Sequence, residues 1–172
     1  MKQLVLLTII LSLSFCKSIN PQDKIVQQSE NKEQGHIIRE KVEIIPRQVI
    51  HITKDEAGAD YVKLLPGDKT VFRFQYRKMP EDISLKDAVY TQYIYFEIPG
   101  KIKNAKYTDD ELKQVNMIAQ VSGFRNIQFY RIDKGSLQIK VIDKQHVEVK
   151  IDLDNKYKRI QKKHIKQLIN IQ

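Results

Sequence analysis

Along much of this chain apolar side chains recur at every second position, and that period constrains its fold more than any other feature. In Thr70–Arg77, Phe72, Phe74 and Tyr76 share one side while Arg73, Gln75 and Arg77 share the other. In His146–Leu153, Val147, Val149, Ile151 and Leu153 alternate with His146, Glu148, Lys150 and Asp152. Successive side chains of an extended chain point to opposite faces, so this period makes half-buried strands. Shorter stretches repeat it: Val42 and Ile44 in Lys41–Ile45, Ile50 and Ile52 in Gln48–Thr53, Val62 and Leu64 in Tyr61–Leu65. Val89–Ile98 is apolar on both sides, as a central strand is. Composition agrees, with 24 Ile against 5 Ala, because β-branched side chains suit a pleated sheet.

Breaks between these runs carry turn residues. Pro66-Gly67-Asp68 reads as a turn, and Pro99-Gly100 ends the central run. Ile127–Ile132, Leu137–Ile142 and His146–Leu153 are separated by Asp133-Lys134-Gly135 and Asp143-Lys144-Gln145, both short enough for hairpin loops. One helix is expected. Thr108-Asp109-Asp110-Glu111 is a capping box, Leu112, Val115, Ile118, Ala119 and Ser122 keep helical spacing, and Gly123 is a stop. In the C-terminal segment, Tyr157, Ile160, His164, Leu168 and Ile171 fit a helical stripe, while Ile165, Ile169 and Ile171 fit a strand. The strand is favoured, since Ile is the better strand former and a third antiparallel segment is the simple continuation. The expected fold is mainly β: an antiparallel β-sandwich or partly open barrel of about eight strands with one short α-helix.

The N-terminus has a different pattern. Lys2 precedes a 12-residue apolar run, Leu4–Phe15. A membrane-spanning helix needs about 20 apolar residues, so the run has the length of a signal-peptide core. Leu13-Ser14-Phe15-Cys16 resembles the lipobox of bacterial lipoproteins, with Phe15 standing where that family usually has a small residue. The resemblance covers residues 1–16. It implies removal of 1–15 and lipid on Cys16, the only cysteine of the chain. A single cysteine also leaves no internal disulfide. The alternative is ordinary secretory cleavage after Cys16, because Ser14 and Cys16 are both small. Residues 16–35 are polar and read as a flexible, lipid-anchored tether. Residues 36–172 read as a single β-rich domain, a size suited to one core.

Charge is unevenly placed. The segment 155–172 carries Lys156, Lys158, Arg159, Lys162, Lys163 and Lys166 and no acid, whereas residues 16–154 hold 23 basic and 21 acidic residues. The basic segment is a candidate surface for anionic lipid, acidic polysaccharide or an acidic partner protein. Its bland counterpart is an edge strand guarded by lysines. Tyr90, Tyr93 and Tyr95 form a second candidate, since aromatic residues on strands stack ligands as well as fill cores. Nucleic acid is not expected for an exported chain.

The sequence holds no Gly-rich phosphate loop, no His-Glu-x-x-His, no Gly-x-Ser-x-Gly and no cysteine pair. His36, His51, His146 and His164 are far apart along the chain. The expectation is a non-catalytic binding or structural β-domain of a cell-envelope lipoprotein, with no catalytic residue, metal or cofactor. Its alternatives are a small β-barrel carrier of an apolar ligand, a soluble secreted or periplasmic protein, and an enzyme whose site has no familiar motif.

Overall fold

The computed structural model describes residues 24–56, 58–82, 88–123 and 126–171. Residues 1–15, expected to be a signal peptide, and Cys16 lie outside them. The described residues form ten strands: β1 (Ile25–Glu33), β2 (His36–Lys54), β3 (Asp60–Pro80), β4 (Tyr90–Pro99), β5 (Ala105–Thr108), β6 (Ile118–Gly123), β7 (Asn126–Arg131), β8 (Gly135–Val141), β9 (His146–Leu153) and β10 (His164–Asn170). They build two antiparallel sheets, one of six strands in the order β1-β2-β3-β4-β6-β7 and one of four in the order β10-β9-β8-β5.

The alternation seen in the sequence packs these sheets face to face. Val42, Ile44, Phe72, Phe74, Ile94 and Phe96 of the larger sheet meet Leu137, Ile139, Val147, Val149, Ile151, Ile165 and Ile169 of the smaller. Phe72 and Phe96 stack at 4.7 Å between ring centroids. β4 lies between β3 and β6 and is buried on both faces, as its two-sided apolar run requires. Within the C-terminal segment only His164–Asn170 is a strand, β10, which pairs with β9 and buries Ile165 and Ile169, while residues 155–163 are irregular.

The structure redraws several boundaries. Half of the expected tether, Ile25–Glu33, is β1 and pairs with β2 through a two-residue turn at Gln34-Gly35. Backbone pairing satisfies its amides without apolar side chains, and only Ile25 packs against the core. The expected turn at Pro66-Gly67-Asp68 does not reverse the chain. Pro46 pairs with Thr70 and Gln48 with Pro66, so β2 and β3 run on through an irregularity at Arg47, whose φ is 56°. β4 pairs with β3 only up to Lys69, which leaves Pro66 on a free edge where its missing N–H breaks no ladder.

Asp133-Lys134-Gly135 is likewise no hairpin, because β7 and β8 belong to different sheets and the loop carries the chain between them. The helix is of the 3₁₀ type and shorter than expected, Asp109–Val115. Its capping box is present: Glu111 accepts from the Thr108 backbone at 2.9 Å and from the Thr108 hydroxyl at 3.0 Å. Asn116, at φ 47°, ends it, and residues 118–123 form β6. Ile118 and Ala119 are buried on opposite faces of that strand. Adjacent apolar residues in a two-sided strand mimic helical spacing.

Beyond the irregularity, the hairpin of Gln48–Lys54 and Asp60–Pro66 bends over the outer face of its own sheet. Ile50 donates its backbone N–H to Glu97 of β4 at 2.9 Å. Ile45, Ile52, Val62 and Leu64 pack there with Ile50, Val71, Tyr95 and Ile118 in a second, smaller core.

Candidate functional site

The basic segment 155–163 is docked on the rim of the sandwich rather than free. Tyr157 and Ile160 are buried. The Tyr157 hydroxyl accepts from the backbone of Asp133 at 2.9 Å and donates to the Asp133 carboxylate at 2.7 Å. A hydrogen bond from Lys156, with that from Tyr157, holds the Asp133 carboxyl at about 2, well below the usual range. Gln92, only 1% exposed, holds the other end. Its carbonyl oxygen accepts from Gln161 and Lys162 backbone N–H at 3.1 and 3.0 Å, and its amide donates to the Lys162 carbonyl at 2.7 Å. Tyr90 joins this anchor by donating to the Arg159 carbonyl at 2.8 Å. Burial pushes the Tyr90 hydroxyl up to about 12.

Most of the segment's charge has a partner. Lys156 pairs with Asp133, Lys162 with Glu40 at 2.7 Å and Lys166 with Glu148 at 3.2 Å. Lys163 donates to Asn155 at 3.1 Å. Lys158 and Arg159 are exposed without an ion pair among the described residues.

The three tyrosines do not share a face. Tyr90 joins the inner side and the C-terminal segment, whereas Tyr93 and Tyr95 stand on the outer face of the six-stranded sheet with ring centroids 5.8 Å apart. Tyr95 is buried there, and burial lifts its hydroxyl to about 12 against the opposing pull of Arg73.

Strand register places further residues on that outer face in rows across the sheet, since directly paired residues point the same way. One row is Glu43, Arg73, Tyr95, Ile118 and Arg131; the next is Lys41, Gln75, Tyr93, Gln120 and Phe129; the third is Glu30, Arg39, Arg77, Thr91 and Ser122. Gln75 donates to the Tyr93 hydroxyl at 2.8 Å. Arg39 binds Glu30 at 2.5 Å. Arg77, directly opposite Arg39, has no ion pair among the described residues. Of these groups the sequence signalled the alternation of Arg73, Gln75 and Arg77; their neighbours on other strands depend on register, which no local pattern states.

At one end of this face, below the bent hairpin, lies an open groove of about 740 Å³. Lys24, Lys63 and Arg73 line it together with Ile45, Tyr61 and Leu64. The adjacent Glu43 is 2% exposed and is gripped by Lys24, Arg73 and, at 3.0 Å, Lys41. Burial pushes its carboxyl up, but the three cations outweigh that and hold it below the usual carboxylate range. By contrast, a partly open pocket at the edge between the two sheets, beside Phe74, Gln92 and Ile165, has a volume of only about 10 Å³.

The histidines stay apart. His146 pairs with Asp143 at 2.9 Å, His164 with Asp152 at 2.8 Å, and His36 contacts the Gln34 carbonyl at 3.0 Å. Among the described residues no three of His, Cys, Asp and Glu converge on a point that could hold a metal ion, and no helix is long and apolar enough to cross a membrane. No protein-family model, curated protein or solved structure matches this chain.

Proposed function

We propose that this chain is an exported lipoprotein of the bacterial cell envelope, anchored through lipid on Cys16, whose β-domain binds a macromolecular partner without catalysis. The observation that carries the binding reading is the outer face of the six-stranded sheet. It keeps Arg39, Arg77, Gln75, Tyr93, Gln120 and Phe129 half-buried in adjacent rows rather than fully covered. Aromatic and guanidinium side chains are enriched at protein interfaces and among their energetic anchors. The partner that suits them is an envelope or host protein presenting acidic groups to Arg77 and its neighbours. The buried side chains of both sheets, which pack in one cluster among the described residues, favour this reading over an apolar-ligand carrier, and the scattered histidines favour it over an enzyme.

Two measurements test it. Intact mass of the mature protein is expected to show a chain beginning at Cys16 with attached lipid; an unmodified chain beginning at Lys17 refutes the anchor. Binding of the full chain to isolated envelope or host-surface proteins is expected to weaken about tenfold or more in Arg77→Glu and Tyr93→Ala, the loss typical of interface anchors. Gln138→Ala, on the four-stranded sheet, serves as the control. Equal binding by all three variants refutes the assignment of the face.

A further inference from the structure

We propose that the groove below the bent hairpin seats the anionic headgroup of a phospholipid in the anchoring membrane, so that the domain lies against the bilayer in one orientation. The inference rests on the lipid-anchored reading of Cys16.

Chain length supports it first. Lys24 lines the groove, and β1 begins at Ile25. Only residues 17–23 separate Lys24 from Cys16. Fully extended, that connection reaches roughly 28 Å, and as a random coil about 16 Å. The headgroup layer is about 5–7 Å deep on each side of the hydrocarbon. The groove is therefore held within reach of the lipid surface whenever the anchor is inserted.

Charge supports it second. Lys24, Lys63 and Arg73 line the groove and no acid does. Glu43, beside it, is shared by three cations. Lys63 is exposed and has no ion pair among the described residues. Lys24 and Arg73 share Glu43, so Lys63 is the base that brings unpaired charge to the groove.

The walls supply the third argument. Ile45, Tyr61, Val62 and Leu64 present apolar surface beside the cations, and Tyr61 is 38% exposed. A tyrosine with an apolar body and a polar tip suits the depth of lipid headgroups.

The test uses the mature lipid-bearing chain in vesicles of phosphatidylcholine, alone or mixed with phosphatidylglycerol. A fluorescent label is placed at Asp68→Cys, near the groove, or at Gln138→Cys, on the other sheet, and quenched by a lipid-borne quencher. Quenching at position 68 is expected to exceed that at 138, to rise with phosphatidylglycerol and to fall with salt. Lys63→Glu changes two charges and is expected to lower the docked population roughly thirty-fold relative to the undocked one, with an unchanged melting temperature. Equal quenching at the two positions, or no dependence on phosphatidylglycerol, overturns the proposal. If the intact mass shows no lipid, the anchor fails separately, and the groove is tested by sedimentation of the unlipidated chain with the same vesicles. Sedimentation that Lys63→Glu abolishes keeps the headgroup site; no sedimentation overturns it.

Discussion

Replacing Gln92 with Leu preserves most of the side-chain volume and removes the Gln92 hydrogen bonds to Gln161 and Lys162, part of what fixes residues 159–162 to the six-stranded sheet. The wild-type carbonyl oxygen accepts from Gln161 N–H and Lys162 N–H, the amide donates to the Lys162 carbonyl, and the one proton of the Tyr90 hydroxyl lies between the Gln92 oxygen and the Arg159 carbonyl. In the variant, Gln161 N–H keeps the Tyr90 oxygen at 3.1 Å, and Tyr90 keeps the Arg159 carbonyl. The loss therefore concentrates on Lys162, whose N–H and C=O both become unpaired. Leaving a buried backbone group unsatisfied costs about 1–3 kcal/mol, so two give about 2–6 kcal/mol. Lys162 lies on the rim, where water reaches part of it, which places the expected cost near 2–4 kcal/mol. That is a large share of the roughly 5–15 kcal/mol that stabilises a domain of this size. Urea unfolding should show it as a midpoint lowered by about 1–2 M at an unchanged slope, taking a slope of about 2 kcal/mol per M. Trypsin should also cut faster after Lys158 and Arg159 in the native state. A destabilisation below about 0.5 kcal/mol with unaltered cleavage would refute the claim that Gln92 anchors the segment.

Three substitutions elsewhere probe the backbone and the buried charge. At Gly135, φ is 130° and a Cβ would fall 2.2 Å from the Asp152 carbonyl oxygen. Gly135→Ala should therefore cost about 2–5 kcal/mol in denaturant unfolding, from strain and overlap together. Gly100→Ala, at φ 66° with nothing within 4 Å of the added carbon, should cost only the left-handed strain of about 1–2 kcal/mol. Glu43 has a carboxyl whose folded-state pKa lies below its ordinary value of 4.5. Its contribution is thus complete above that value and is lost as pH falls through the lower folded value. Glu43→Gln should destabilise the protein at pH 7 by about 1–3 kcal/mol, since its cationic partners keep some water contact. It should also flatten the acid side of the stability-against-pH curve; an unchanged acid limb would show that Glu43 is not ion-paired in solution.

The sheet architecture was legible because burial on one face writes itself into the sequence at period two. Phe72, Phe74, Val147, Val149 and Ile151 are core residues that the alternation alone identifies. Features that depend on distant strands were not legible. Pro66-Gly67-Asp68 has turn composition, yet β2 runs alongside it and carries the chain through. Ile118 and Ala119 keep helical spacing because two different cores lie on opposite sides of β6. β1 has almost no apolar signal, since its stability comes from the amides it shares with β2. Gln92 is a polar residue in an apolar run, and only the fold reveals that its amide completes the backbone of a loop 70 residues away.

The candidate surfaces follow the same division, because the position of each charge relative to its neighbours across strands matters more than its density along the chain. Six bases within 18 residues make 155–172 the most cationic stretch of the sequence. Folding brings Asp133, Glu40 and Glu148 from other strands and loops against it, which leaves Lys158 and Arg159 as its bases without an acid or amide partner among the described residues. The body, almost neutral by count, is sorted the other way. Register gathers Arg39, Lys41, Arg73, Arg77 and Arg131 on one outer face with only Glu30 and Glu43 beside them in the same rows. Both acids are engaged; Arg77 has no ion pair among the described residues and lines a pocket of about 440 Å³ with Arg39, Glu81 and Asp82. The same sorting puts Lys63 in the groove without an acid of its own. Positive charge on the six-stranded sheet and its bent hairpin is therefore set by register and the fold, while the segment where sequence charge is densest keeps only Lys158 and Arg159 without an acid or amide partner among the described residues.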